Sequence, residues 1–142
     1  ENIFLTYDTD ETGRERVIAL IGDLGLAYDA NNPEATKKGI GTLQFAPPER
    51  LEGKMQGAPG DAWAIGVILS LCFHNCYPYL QFNNTAENLH RQIYEASKAL
   101  QNVPSPKKGT INWIIWGLTR PDLNDRLSLK EALEELDRLN GV

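Results

Sequence analysis

The sequence lacks the positive charge that nucleic-acid binding draws on. Its 14 Lys and Arg stand against 19 Asp and Glu, a formal net charge of −5. A nucleic-acid partner needs a basic face, so none is expected. Long apolar runs are missing too. The longest, residues 62–73, is interrupted by Gly66 and Ser70 and falls short of the roughly 20 residues that span a bilayer as a helix. It reads as a buried helix, and no membrane segment is expected. Cysteine is limited to Cys72 and Cys76, four apart and so on one face of a helix. A metal site would want two more ligands, and His74 points elsewhere on that helix. Both cysteines are expected to be buried or partly buried free thiols in a reducing, cytoplasmic compartment. The chain opens at Glu1 without a methionine and runs straight into an apolar triplet, so it is expected to be a piece of something longer.

What is present suits one globular domain: 142 residues, 42% hydrophobic and 23% charged, all ordinary values. Residues 2–5 read as a short buried strand and residues 17–21 as its returning partner. Between them, residues 6–16 form a solvated hairpin loop. Its four acidic residues do not follow calcium-loop spacing. The returning strand ends on Ile21-Gly22-Asp23-Leu24-Gly25-Leu26-Ala27, which delivers one carboxylate into a glycine-flanked turn. By itself Asp23 is a turn residue. Residues 28–41 lose periodicity and form a long loop, a kind that is usually functional or mobile. Two prolines then permit a short helix over residues 48–51.

A loop over residues 53–60 leads to a helix over 61–73, apolar on nearly every face and therefore central. Asp61 at its start can serve as an N-cap. Tyr77-Pro78-Tyr79 ends it. Asn84 with Glu87 marks another helix start, followed by the apolar face Leu89, Ile93, Ala96 and Leu100. Ile111, Ile114, Ile115 and Leu118 keep helical spacing, with Trp113 and Trp116 as core anchors. Residues 120–126 read as a polar turn. Ser128 and Glu131 fit a capping box ahead of the stripe Leu129, Ala132, Leu133, Leu136 and Leu139. The expected fold is α+β and mostly helical: one small β-hairpin, a long loop, then four to five helices.

Five features in this order resemble the C-terminal lobe of a eukaryotic-type Ser/Thr protein kinase, starting at the end of its catalytic loop. Glu1-Asn2 before Ile3-Phe4-Leu5 resembles the end of that loop and the strand after it. Asp23-Leu24-Gly25 resembles the family's D-F-G, with Leu24 for Phe. Gly41-Thr42 through Pro47-Pro48-Glu49 resembles G-T-x-x-Y-x-A-P-E, with Phe45 for Tyr and Pro47 for Ala. Asp61-Ala62-Trp63-Ala64-Ile65-Gly66 resembles D-x-W-x-x-G, and Arg126 sits where the family keeps a buried arginine. Leu24 and the Tyr77-Pro78-Tyr79 stretch also resemble the no-lysine kinase group.

The resemblance implies that the whole of 1–142 is C-lobe and that the parent transfers the ATP γ-phosphate to Ser or Thr of protein substrates. Such catalysis is mostly positioning and charge neutralisation, done largely by magnesium, which wants hard oxygen ligands. Asp23 and Asn2 would be its ligands and would face ATP. Thr42 would hydrogen-bond near the reacting groups, and Leu43, Gln44 and Phe45 would flank the substrate residue after the phosphoacceptor. Glu49 and Arg126 would form a structural ion pair, and Asp61 would brace the catalytic-loop backbone. Thr36, ahead of Lys37 and Lys38, is the candidate phosphorylation site. No Gly-rich phosphate loop, strand lysine, pairing glutamate or His-Arg-Asp is in the chain. The resemblance therefore implies an N-lobe, supplying most of the ATP site, and a catalytic base upstream of Glu1, with no activity in this segment alone. The alternative is a catalytically dead, partner-binding scaffold.

Overall fold

A computed structural model of the protein describes residues 2–29, 31–32, 41–54, 57–79 and 88–141. These fall into two compact units, Glu1–Lys37 and Lys38–Val142. The first is built on an antiparallel hairpin of β1 (Ile3–Thr9) and β2 (Glu15–Ile21). Ile3 pairs with Ile21, Leu5 with Ala19 and Tyr7 with Val17, which puts all six on one face. The strands run further than the hydrophobic pattern implies. Asp8 and Arg16 pair across the ladder at 2.6 Å, so the polar residues extend the ribbon instead of looping out. The turn itself is short. Asp10 Oδ1 accepts from the backbone N–H of Thr12 and Arg14 and from the Thr12 hydroxyl, and Gly13 takes φ +83°. The strand is also not buried as expected. Phe4 is 58% and Leu5 66% exposed, because a two-stranded ribbon has no interior of its own.

The second unit is helical: α1 (Pro48–Leu51), α2 (Ala58–His74), α3 (Leu89–Ala99), α4 (Ile111–Leu118) and α5 (Leu129–Asn140). Two apolar clusters flank α2. Trp63 and Val67 pack with Tyr79, Ile93 and Leu100 on one side. Ala62 packs with Ile114, Leu118 and Ala132 on the other. A helix with core on two faces has no polar stripe, which explains its uniform apolarity. It starts at Ala58, earlier than the apolar run, because Pro59 fits the first turn where its missing N–H costs nothing. Gly66 lets α4 approach closely: a Cβ there would lie 2.8 Å from Leu118 Cβ and 2.8 Å from Thr119 Cγ2.

Several local readings change. Cys72 and Cys76 are free but exposed, since the α2 members of the two clusters stop at Leu71 and Leu69. Trp113 and Trp116 are half-buried rather than deep anchors. Lys108 Nζ sits 5.3 Å from the Trp113 ring centre, and the Arg120 guanidinium lies 4.2 Å from that of Trp116. The polar turn hides its arginines. Arg120 is buried, with its Nε–H donating to Trp116 O at 2.9 Å, and burial lowers its pKa. On α5 the capping box of Ser128 and Glu131 forms in both halves. The buried face there is Ala132 and Glu135, while Leu129, Leu133 and Leu139 are exposed. Glu135 is held by Arg138 and by Lys108, and of the leucines in the stripe Leu136 packs against the second cluster. The Asn84–Glu87 helix start lies outside the described residues.

Gly66→Ala should overpack the α2–α4 crossing and destabilise the protein by ~1–3 kcal/mol, despite alanine's better helix propensity. A urea midpoint equal to or above that of the parent would contradict this packing.

Candidate functional site

The hairpin brings Asn2 and Asp23 to the same end. Gly22 N–H donates to Asn2 O at 2.9 Å, so the ladder sets Asn2 opposite the residue before Asp23. Gly22 has a side chain's worth of space filled by Phe4, whose ring a Cβ would strike. Asp23 adopts φ 54° and ψ 61°, a left-handed conformation. Such values are uncommon outside glycine, and Asp tolerates them better than most. Asp23 precedes a 3-10 turn over Leu24–Leu26, yet its side chain makes no capping hydrogen bond. Its carboxylate is therefore not spent on the turn. At Gly25 a Cβ would lie 3.5 Å from Asp23 Oδ1. Both Asn2 and Asp23 are exposed. The hairpin end thus carries one carboxylate and one side-chain amide, both exposed. That donor set suits magnesium, which takes one or two protein oxygens and completes its shell with water and phosphate. Among the described residues no three His, Cys, Asp or Glu side chains gather into a metal cluster.

Within the second unit, Thr42 leads a 3-10 turn over Leu43–Phe45. Thr42 is exposed and its hydroxyl makes no capping hydrogen bond. Leu43 and Phe45 are half-buried against the core, so the turn is anchored by its apolar side chains. Two tyrosines that the sequence marks only as a helix end hold this turn. The Tyr79 hydroxyl donates to Gln44 O, and burial raises that tyrosine's pKa. Rings then continue inward: Phe45 meets Tyr77 edge-on at 6.2 Å, Tyr77 stacks on Tyr79 at 5.8 Å, and Tyr79 on Trp63 at 6.4 Å. The alternation Tyr77-Pro78-Tyr79 displays two aromatics in the sequence but not the distant turn they hold.

Beneath the rings lies Arg126, its guanidinium 5.1 Å from the Trp63 ring centre. It forms a bidentate pair with Glu49, Nη1 to Oε1 at 2.7 Å and Nη2 to Oε2 at 2.9 Å. The remaining donors go to backbone carbonyls: Nε to Arg120 at 2.8 Å, Nη1 to Pro59 at 2.9 Å and Nη2 to Pro121 at 3.4 Å. All five guanidinium N–H groups have acceptors. Both side chains are buried, at 0% and 9% exposure. Trp63 Nε1, by contrast, is buried without an acceptor among the described residues, so its ring is held by apolar packing, stacking on Tyr79 and the Arg126 guanidinium. Asp61 sits one full turn inside α2 and is therefore not its cap. Among the described residues its carboxyl has no hydrogen-bond partner, and partial desolvation raises its pKa. Thr36 lies outside the described residues.

Next to Glu49 a cleft of about 370 Å³ opens, walled by Pro48, Glu52, Lys54, Lys98 and Leu123. Lys54 pairs with Glu52, the Tyr94 hydroxyl donates to Glu52 Oε1 at 2.7 Å, and Lys98 stands 3.6 Å away. These donors, Lys54 first, hold the Glu52 carboxyl at about 2 against an ordinary 4.5.

Two outcomes follow from these contacts. Arg126→Ala strands the Glu49 carboxylate and should cost about 3–5 kcal/mol, read by urea unfolding; a loss no larger than an ordinary surface substitution gives would refute the hub. Glu52 has a folded pKa below its unfolded one. Its stabilisation is present above about pH 4.5 and lost as pH falls toward about 2. Glu52→Gln should thus flatten the melting temperature against pH across that window, and an unchanged acid limb would count against the cluster.

The protein kinase domain family matches residues 1–136 of this chain. Mitogen-activated protein kinase kinase 2 of Arabidopsis thaliana is 28% identical over 101 residues, covering 67% of this chain and 27% of that protein. Aurora kinase A-A of Xenopus laevis is 30% identical over 116 residues, or 80% of this chain and 26% of that protein. Aurora kinase of Candida albicans is 34% identical over 95 residues, or 66% of this chain and 17% of that protein. The chain thus spans at most 27% of the length of these relatives. The no-lysine resemblance has no support among them. Among the described residues no helix is long and apolar enough to cross a membrane. With a family match over nearly its whole length and an α+β, mostly helical fold, the chain belongs to the protein kinase domain family.

Proposed function

We propose that residues 1–142 form C-lobe of a Ser/Thr protein kinase that moves the γ-phosphoryl group of ATP to a hydroxyl on a protein substrate. The observation that carries this is Asp23: an exposed carboxylate in a left-handed conformation, unused by its own turn, beside Asn2 across the hairpin end. A non-glycine residue in that conformation is a sign of function when local structure does not explain it. Asp23 and Asn2 would hold magnesium. When bound, that ion neutralises charge on the transferring phosphates. Asn2 would ligate without bringing a second charge into the site, and Gly25 presents no side chain next to the Asp23 carboxylate.

In the transfer, the substrate oxygen bonds to the γ-phosphorus as the bond to the bridging oxygen breaks. The proton leaves for a base upstream of this chain. Thr42 offers a hydroxyl to orient the reacting groups, and Leu43, Gln44 and Phe45 give the substrate backbone an edge to lie along. Glu49 and Arg126 hold that edge. Asp61 has a raised pKa and no hydrogen-bond partner among the described residues, which fits a carboxylate that would brace the catalytic-loop backbone. The free thiols of Cys72 and Cys76 fit a reducing, cytoplasmic setting. Leu24, in place of the family's Phe and 66% exposed, is the feature that favours the second reading, a partner-binding scaffold without catalysis.

The full-length protein carrying Asp23→Ala should lose phosphoryl transfer from ATP to a Ser or Thr peptide by at least ~100-fold, in line with removal of a major electrostatic group, while its circular dichroism stays unchanged. Transfer at the parent rate would refute the metal role of Asp23. No transfer by the unsubstituted protein would favour the scaffold.

A further inference from the structure

Arg50, the third residue of α1, is half-buried with no partner for its guanidinium among the described residues. That guanidinium lies against Gly41. A Cβ at Gly41 would stand 3.1 Å from Nη1, 3.3 Å from Nη2 and 3.5 Å from Cζ. These near-equal distances mean that the flat guanidinium covers the position where a side chain would be. Gly41 itself has φ +116°, a conformation that L side chains avoid. Among the described residues Arg50 has no ion pair and no side-chain hydrogen bond. The carboxylates beside it are engaged elsewhere: Glu49 with Arg126, and Glu52 with Lys54, Tyr94 and Lys98.

The other arginines differ. Arg16, Arg91, Arg126 and Arg138 each pair with a carboxylate. Arg120 stacks on Trp116 and donates to its carbonyl. Arg14 is exposed in the hairpin turn, where water serves it. A partly desolvated cation with open donors is costly to keep, and its fork geometry matches a carboxylate or phosphate bidentately. Next to Gly41 stands Thr42, whose exposed hydroxyl makes no capping hydrogen bond. The chain therefore sets an open guanidinium beside an open hydroxyl, on the segment proposed to carry the protein substrate.

We infer that Arg50 is a specificity-determining residue, binding an anionic side chain, a carboxylate or a phosphomonoester, that follows the phosphoacceptor on the substrate. The inference rests on the kinase reading above and names the substrate class for it. The flat contact with Gly41 orients the guanidinium, and the engaged neighbours leave it as the local positive charge.

The test uses the full-length protein and Ser peptides with Glu, phosphoserine or Gln at each of the positions after the phosphoacceptor. At one position the anionic peptides should show a KM about tenfold or more below the Gln peptide, as expected for a charge-assisted hydrogen bond. Comparing Glu with phosphoserine tells which anion the site takes. Arg50→Ala should remove the preference by raising KM for the anionic peptides to that of the Gln peptide, and Arg50→Lys should keep part of it. Equal KM values for anionic and neutral peptides, or a preference intact in Arg50→Ala, would overturn the assignment. If the protein transfers no phosphate, the kinase reading fails and binding decides this one. Anisotropy with the same labelled peptides should then show anion-selective binding that Arg50→Glu abolishes; equal binding by parent and variant would overturn it.

Discussion

The helical unit depends on the guanidinium of Arg126. Its five donors reach Glu49 in α1, Pro59 at the start of α2 and two carbonyls of the turn before α5, and its face lies under Trp63. A buried pair gives little net stability compared with an apolar replacement, but breaking it from one side is expensive. What the pair contributes is position. It ties three segments far apart in sequence to one point, with no unsatisfied charge left over.

From that point, order passes outward through stacked rings to the Thr42–Phe45 turn. Trp63, Tyr79 and Tyr77 form a continuous aromatic path, and the Tyr79 hydroxyl fastens the Gln44 carbonyl at its end. Aromatic rings are rigid and bury large areas, so they transmit the position of a buried ion pair to an exposed edge. Core atoms carry the stability of the unit, while the Thr42 hydroxyl makes no capping hydrogen bond and the Arg50 guanidinium has no ion pair among the described residues.

The same division appears in the hairpin. Its ladder aligns Asn2 with the end of β2, and the turn that follows leaves Asp23 unengaged in a left-handed conformation. Asp10, in the opposite turn, is fully used by Thr12 and Arg14. Two aspartates of one unit thus differ in what the backbone asks of them. Local consistency is the rule in foldable sequences, and its exceptions collect where function competes.

Periodicity and capping chemistry were enough to read the element order: a hairpin, a long loop and a run of helices around an apolar one. These signals are local, with period 2 or 3.6 and caps within four residues, so a linear chain displays them. The motif series from Asn2 to Arg126 likewise revealed the family, because its residue types and order survive in one dimension. Partnership across space is different. Nothing near Arg126 in the chain announces the carbonyl of Pro59, nothing near Tyr79 announces Gln44, and Arg50 reads as one more surface charge until Gly41 lies beneath it. The outward turn of Leu133 and the exposure of Cys72 escape a linear reading for the same reason. Which face of an element meets another is set by packing among distant segments, and only the folded chain carries out that choice.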